Sequence, residues 1–282
     1  MSRLAAWIMR GRINALVAAA ILGMIPLIAW TSVSVVALVA LRRNAAEALW
    51  PLAGALLAAT VQWNSGDVSQ VGALLAASAG ALVLASYRSL SLAVLVTALT
   101  SALYLVVLVQ WFPDRFDQLL TLFQPFFDQI RQSGEQSALL DQLDPRQMVI
   151  EGMGMLTGAV ALSALLLARS IQARLYNPGG FRQEFHQLRM APGATTVLML
   201  GMLVSEWQPE AVIVVPLLVL PLVVAGIGLV HGLAVRATTR TPLVLFYVAL
   251  VIFAGPAFVL LIAAATMDSF IDFRKRIGTA RP

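Results

Sequence analysis

The chain has no cysteine, which excludes disulfides, thiolate metal centres and thiol catalysis and leaves the redox compartment open. Histidine is nearly as scarce. His186 and His231 are the only two, so a histidine-rich metal centre is excluded, and neither a metal site nor a cofactor is expected. Lysine is reduced to Lys275. Charged residues make up 12% of the chain, against about 25% in an average soluble domain. There is no nucleophile elbow, phosphate-binding glycine loop, metal-ligand cluster or carboxylate pair on one helical face. The expectation is a protein that is not an enzyme.

What the sequence has instead is long stretches without charge. No Asp, Glu, Lys or Arg occurs in the 29 residues 13–41, in the 25 residues 89–113, or in the 25 residues 211–235. About 20 apolar residues cross the roughly 30 Å hydrocarbon layer. The chain therefore reads as all-α, a polytopic membrane helical bundle of about eight to nine segments forming one membrane domain. The net charge of +5 is arginine placed at span ends, which fits the excess of basic residues on the cytoplasmic side of bacterial membrane proteins and points to the inner membrane. These charges are scattered among loops rather than gathered on one face, so nucleic acid is not an expected partner. The lipid bilayer is. The first apolar run extends well past a short signal-peptide core, so a cleavable signal is not expected.

The segments follow from local signals. Arg3, Arg10 and Arg12 precede the first run and Arg42 and Arg43 follow it, so both of its ends are expected on the cytoplasmic side. One straight helix of that length would reach roughly 44 Å, too long without strong tilt. Gly23 and Pro26 interrupt it, which predicts a hairpin with legs near 5–24 and 27–41, the second short enough to be re-entrant. Asn44 with Glu47 opens the next helix as a capping box, which runs to Trp63. Asp67 with Gln70 opens the one after it, ending at Arg88, and residues 89–111 return outward to Trp111. Residues 113–144 carry six acids against two arginines, and Phe116, Leu119, Leu120, Phe123, Phe127 and Ile130 recur at helical spacing. This predicts an amphipathic periplasmic insertion broken near Pro125 and Ser133-Gly134. Asp144-Pro145 with Gln147 starts a helix expected to end near Leu167, followed by a basic cytoplasmic loop over 169–192. A short span over 193–205, an acidic turn through Glu206 and Glu210, a return to Arg236 and Arg240, and a last helix over 241–267 complete the pattern. Taken together these segments place the carboxyl end outside, whereas Arg274, Lys275 and Arg276 argue for inside, or for a hairpin at Gly255-Pro256; the side stays open.

Glu151 lies six residues into its helix from Pro145, about 9 Å deep. An intramembrane acid is costly and points to function, while the plainer reading is a carboxylate near the outer headgroups. With Trp63 and Trp207 it forms the candidate ligand-binding group for a small molecule. Glu47 and His231 are explained by capping and by a favourable helix-dipole position. Ala73, Ala77, Ala81 and Ala85, flanked by Gly72, Ala76 and Gly80, make a smooth face suited to internal packing or to a partner, and Ala15 and Ala19 repeat the signal. In the segment from Asn177 to Arg189, Pro178 and Gly179-Gly180 dictate a turn. Phe181, Phe185 and Leu188 then share a helical face beside Arg182 and Arg189. Phe181, Glu184, Phe185 and Arg189 are the candidate interface residues, for the inner membrane surface or for a protein.

That segment, together with Asp268-Ser269-Phe270-Ile271-Asp272-Phe273-Arg274 and Arg10-Gly11-Arg12, resembles the YybS-like family of bacterial multi-pass membrane proteins. The family is distantly similar in fold to the substrate-binding S-components of energy-coupling-factor transporters. The resemblance implies an S-component-like core, with Ala15 and Ala19 matching the small-residue motif that meets a coupling subunit. The 113–144 insertion and the additional spans depart from a compact six-helix S-component. Two functions are therefore expected as alternatives. One is a solute-binding, transport-type module with an outward pocket. The other is a non-transporting scaffold that docks envelope membrane proteins through its small-residue faces and the 174–189 segment, and a coupling or envelope membrane protein is the expected protein partner.

Overall fold

The computed structural model describes residues 2–133, 144–205, 207–235 and 241–279. Glu135, Asp141, Glu206, Arg236 and Arg240 lie outside them. Every element among the described residues is helical. The chain runs α1 (Ser2–Ile8), α2 (Arg12–Met24), a 3-10 turn (Pro26–Ile28), α3 (Trp30–Arg42), α4 (Ala45–Asn64), α5 (Ser69–Tyr87), α6 (Leu90–Trp111) and α7 (Pro113–Ser133). It continues through α8 (Pro145–Tyr176), α9 (Gly180–His186), α10 (Pro192–Ser205), a 3-10 segment (Pro209–Val214), α11 (Val215–Ala234), α12 (Thr241–Ile252), α13 (Ala254–Ile271) and α14 (Phe273–Thr279). Among the described residues, five helices are long and apolar enough to cross a membrane: α5, α6, α8, α11 with its 3-10 lead-in, and α13. A sixth is added if the pair α2 and α3, bent by 118°, counts as one.

The core is built on small residues. α5 packs against α3, α6 and α8, and its Gly72, Ala73, Ala76, Ala77, Gly80 and Ala81 are all buried. Without bulky side chains the backbones approach closely and gain dispersion contacts that lipid cannot offer. The smooth face of this helix is thus spent on internal packing. The bend between α2 and α3 is pinned from the same helix. Gln70 Nε2 donates to Ala29 O at 3.1 Å and to Ser32 Oγ at 2.8 Å. Gln70 is therefore a tertiary clamp and not the helix cap its position suggests. Asp67 accepts from the backbone and hydroxyl of Ser69 instead.

Three boundaries differ from expectation for identifiable reasons. The first leg divides at Arg10-Gly11 into α1 and α2. α8 runs 32 residues, past Leu167 to Tyr176, so Arg169 and Arg174 stand on a helix rather than in a loop. No breaker occurs before Asn177, and a residue preceding proline is pushed out of helical conformation. α7 continues through Pro125, with Phe116, Leu119 and Phe127 buried on either side of it. The last apolar segment does break. Pro256 has no N–H for the Ile252 carbonyl, and the chain turns at Phe253 (φ −116°, ψ 46°) between α12 and α13.

The bundle has a basic end and an acidic end. At the basic end Glu47 accepts from Arg12 at 2.5 Å and from Arg43 at 3.0 Å, and Arg43 reaches Met9 O at 2.8 Å, joining α1, α2, α3 and α4. Arg169 forks onto Glu184, joining α8 to α9. Arg189 meets Asp272 at 3.2 Å, and Arg274 Nη2 donates to Leu188 O at 2.9 Å. These two contacts seat the end of α13 beside the connector that follows α9. The carboxyl-terminal arginines therefore share an end of the bundle with the amino-terminal ones.

Candidate functional site

At the acidic end, α6, α8 and the 3-10 segment before α11 diverge around a cavity of about 800 Å³. Its apolar wall includes Val106, Val109, Ile150 and Ile213, and Gln110, Gln147 and Gln208 supply amides. Each element delivers its glutamine for a local reason. Gln110 stands one residue before the end of α6, where Phe112 leaves helical geometry and Pro113 starts α7. Gln147 lies in the first turn of α8, which Asp144 caps by accepting from Arg146 N at 2.9 Å. Gln208 is the extended residue ahead of Pro209.

Arg146 on the rim is already paired. Arg146 Nε donates to Asp117 at 3.0 Å, tying α7 to the mouth of the cavity. Gln147 Nε2 donates to Glu151 Oε1 at 2.7 Å. The side-chain amides of Gln110 and Gln208 make no hydrogen bond among the described residues, and both are exposed to the opening. The cavity thus presents amide donors and acceptors, with Asp144 and Arg146 at the rim, above an apolar wall.

The residues singled out from the sequence are not gathered here. Glu151 is half-buried one turn below the rim and reaches the cavity only through Gln147. Trp63 stacks edge-on with Phe112, centroids 5.6 Å apart, beneath the Arg115 guanidinium at 5.3 Å. Trp207 is 81% exposed. None of the three lines the glutamine cavity. Ala15 and Ala19 are buried against α4. Their face is occupied within the chain.

The interface candidates have intramolecular partners too. Phe181 and Phe185 stack at 5.6 Å, and Phe185 lies edge-on to His231 of α11. A Cβ on Gly228 would come within 2.7 Å of Phe185 O, so α9 sits directly on the backbone of α11. Glu184 holds the buried Arg169, and Arg189 holds Asp272. Burial first, then the nearby Arg182, holds His186 below the usual histidine range. Asp272 is pushed up by burial but held below the usual carboxylate range by the Lys275 N–H and the cations Arg189 and Lys275. Its contribution to stability is therefore present above the ordinary carboxylate pKa and lost as pH falls through the lowered value.

Sequence reasoning missed Gln110 and Gln208. The available signal was a lone amide at the mouth of an apolar run, Gln110 beside Trp111. No family model matches the chain, and no curated protein or solved structure matches it.

Proposed function

We propose that this chain is a solute-binding, transport-type module of the bacterial inner membrane, and that the glutamine-lined cavity is its binding site. The observation that carries the reading is the pair Gln110 and Gln208, whose amides face a cavity of about 800 Å³ with no protein partner among the described residues. Water satisfies them when the site is empty, and a ligand bearing hydroxyl, amide or carboxyl groups replaces that water. The volume suits a small molecule, and the apolar wall suits one with a hydrocarbon or ring face. α7, latched to the rim through Asp117 and Arg146, acts as the lid. The likeness to energy-coupling-factor S-components is then one of plan, an outward-open site in a small helical membrane domain. In this reading α4, α10 and α12 join the bent pair and the five long helices as membrane segments, nine in all.

The competing scaffold reading needs an exposed small-residue groove. Ala15 and Ala19 on α2 and Ala73, Ala77 and Ala81 on α5 are buried inside the chain, while Ala85 is exposed, which favours solute binding over docking through these rows.

The test is small-molecule mass spectrometry on protein purified in mild detergent. Wild type should carry a compound that the double variant Gln110→Leu/Gln208→Leu loses. Identical small-molecule content in the two proteins would overturn the assignment.

Orientation follows from charge. The acidic end should face the periplasm and the basic end the cytoplasm. Because the chain has no cysteine, single cysteines report cleanly. A cysteine at Gln129 on α7 should react with an impermeant thiol reagent in intact cells. Cysteines at Gln183 and Lys275 should react only after permeabilisation. The reverse pattern would invert the protein and place the cavity inside.

A further inference from the structure

The basic end holds a second cavity, of about 480 Å³, lined by Arg42, Arg88, Arg169, Gln172, Tyr176 and Glu184 among others. Three arginines against one glutamate leave two positive charges. The pairing within it is uneven. Arg169, buried, forks onto Glu184 and donates to Gln172 Oε1 at 3.1 Å, and Gln172 Nε2 donates to Leu41 O at 3.0 Å. That group is a finished scaffold. Among the described residues the Arg42 side chain has the Tyr176 ring alone, its guanidinium 4.2 Å from the centroid. Arg88 has no hydrogen bond or ion pair from its side chain among the described residues. No carboxylate in the lining is left for either.

Arg88 also occupies an unusual backbone position. It ends α5 in the left-handed region, at φ 53° and ψ 28°, with its N–H donating to Leu84 O at 3.0 Å. Helices commonly end this way, but with glycine, because a side chain there costs free energy. Arg88 adopts this conformation with a full side chain, and that residue lines the cavity.

We infer that this cavity binds a phosphate group, gripped by Arg42 and Arg88 over the Arg169–Glu184 scaffold. Guanidinium forks match phosphate oxygens in geometry and keep their charge at any physiological pH. Tyr176 holds the Arg42 plane, and Gln172 ties α8 to the end of α3, so the ends of α3, α5 and α8 are set before the anion arrives. The site stands at the end of the bundle where helix ends meet the bilayer interface. Two sources of phosphate reach that position, the headgroup of an anionic phospholipid and a soluble phosphate. Basic pockets between membrane helices are suited to the former.

Native mass spectrometry on the full chain in detergent separates the outcomes. Added dioleoylphosphatidylglycerol should give more bound adduct than dioleoylphosphatidylcholine. The double variant Arg42→Gln/Arg88→Gln should weaken the anionic adduct roughly thirtyfold, each arginine near the surface contributing about fivefold. Arg174→Gln, which removes a charge from the last turn of α8 outside the cavity, should change it less than about twofold, because exposed charges are screened. In a parallel arm, inorganic phosphate against chloride at equal ionic strength reports a soluble source. Phosphate that raises the melting temperature of wild type but not of the double variant supports the same site with a soluble anion. Arg88→Gly guards against misfolding, since it should keep or raise the melting temperature while still losing binding. The inference is overturned if neither phosphate probe binds, if the double variant binds as wild type does, or if Arg174→Gln costs as much as the double variant.

Discussion

Replacing Asp268 with leucine should cost about 3–5 kcal/mol, the penalty for breaking a buried ion pair from one side. Asp268 is 2% exposed near the carboxyl-terminal end of α13. Its Oδ2 takes Arg274 Nη1 at 2.6 Å, and its Oδ1 takes the Phe273 N–H at 2.9 Å. Burial pushes the Arg274 guanidinium down in pKa against the pull of Asp268, which marks a cation that depends on its partner. Next to them Thr195 donates to Ser269 Oγ at 2.8 Å, so α10 and α13 meet through polar groups at the same level. Leucine removes the carboxylate that takes Arg274 Nη1 and leaves that cation Leu188 O, and the reversal from α13 into α14 loses the acceptor that closes it. Thermal unfolding in detergent should show a clear loss of stability. Adding Arg274→Met should restore much of it, because an apolar pair of similar volume carries no desolvation cost. A single variant as stable as wild type would mean that the pair is hydrated and the junction open. A double variant no better than the single would mean that packing, not charge, sets the cost.

The parts of the fold that were legible in the sequence are those fixed by local chemistry. Asn44 caps α4 by accepting the Glu47 N–H at 2.8 Å, and Asp144 caps α8, as their spacing to the following residues implies. The uncharged runs gave the membrane-type helices because desolvation selects composition directly. The amphipathic pattern of α7 was readable in the same way. What was not legible depends on contacts between distant elements. Nothing near Gln70 announces that its amide will bridge to Ala29 and Ser32. Nor does anything near Arg169 announce that Glu184 on the next helix will pair with it, which makes a charged residue acceptable on the buried side of α8. The cavity eluded sequence reasoning for the same reason. Gln110, Gln147 and Gln208 come from three elements far apart in the chain, each unremarkable in its own window. Glu151 drew notice because an acid in an apolar helix stands out, yet its carboxylate is engaged by its own helix neighbour. The end of the bundle at which α13 finishes, open in the sequence, follows from two contacts, Arg189 with Asp272 and Arg274 with Leu188 O.

The contact between α2 and α4 sets the second large expected effect. A Cβ built on Gly54 would lie 2.3 Å from Leu16 O and 3.2 Å from Ala20 N. Both are backbone atoms of α2, so no rotamer change makes room and the helices must part. Ala15 and Ala19, beside them, are buried at 2% and 0% exposure and would lose their packing together. Gly54→Ala gains about 1 kcal/mol of helix propensity, but overpacking costs typically 1–3 kcal/mol and more where only backbone can move. The net effect should be destabilising. Gly54→Leu should fail to give a monodisperse protein, with the Arg12–Glu47–Arg43 cluster at the head of the same helices pulled apart. Gly152 on α8 is the internal control, since a Cβ there meets nothing within 4 Å. Gly152→Ala should be neutral or stabilising by about 1 kcal/mol. If Gly54→Ala raises the melting temperature as Gly152→Ala does, α2 and α4 do not approach this closely. If Gly54→Ala leaves stability unchanged yet releases a co-purifying membrane protein, the face of Ala15 and Ala19 meets a partner rather than α4. That result would favour docking over solute capture as the function of the bundle.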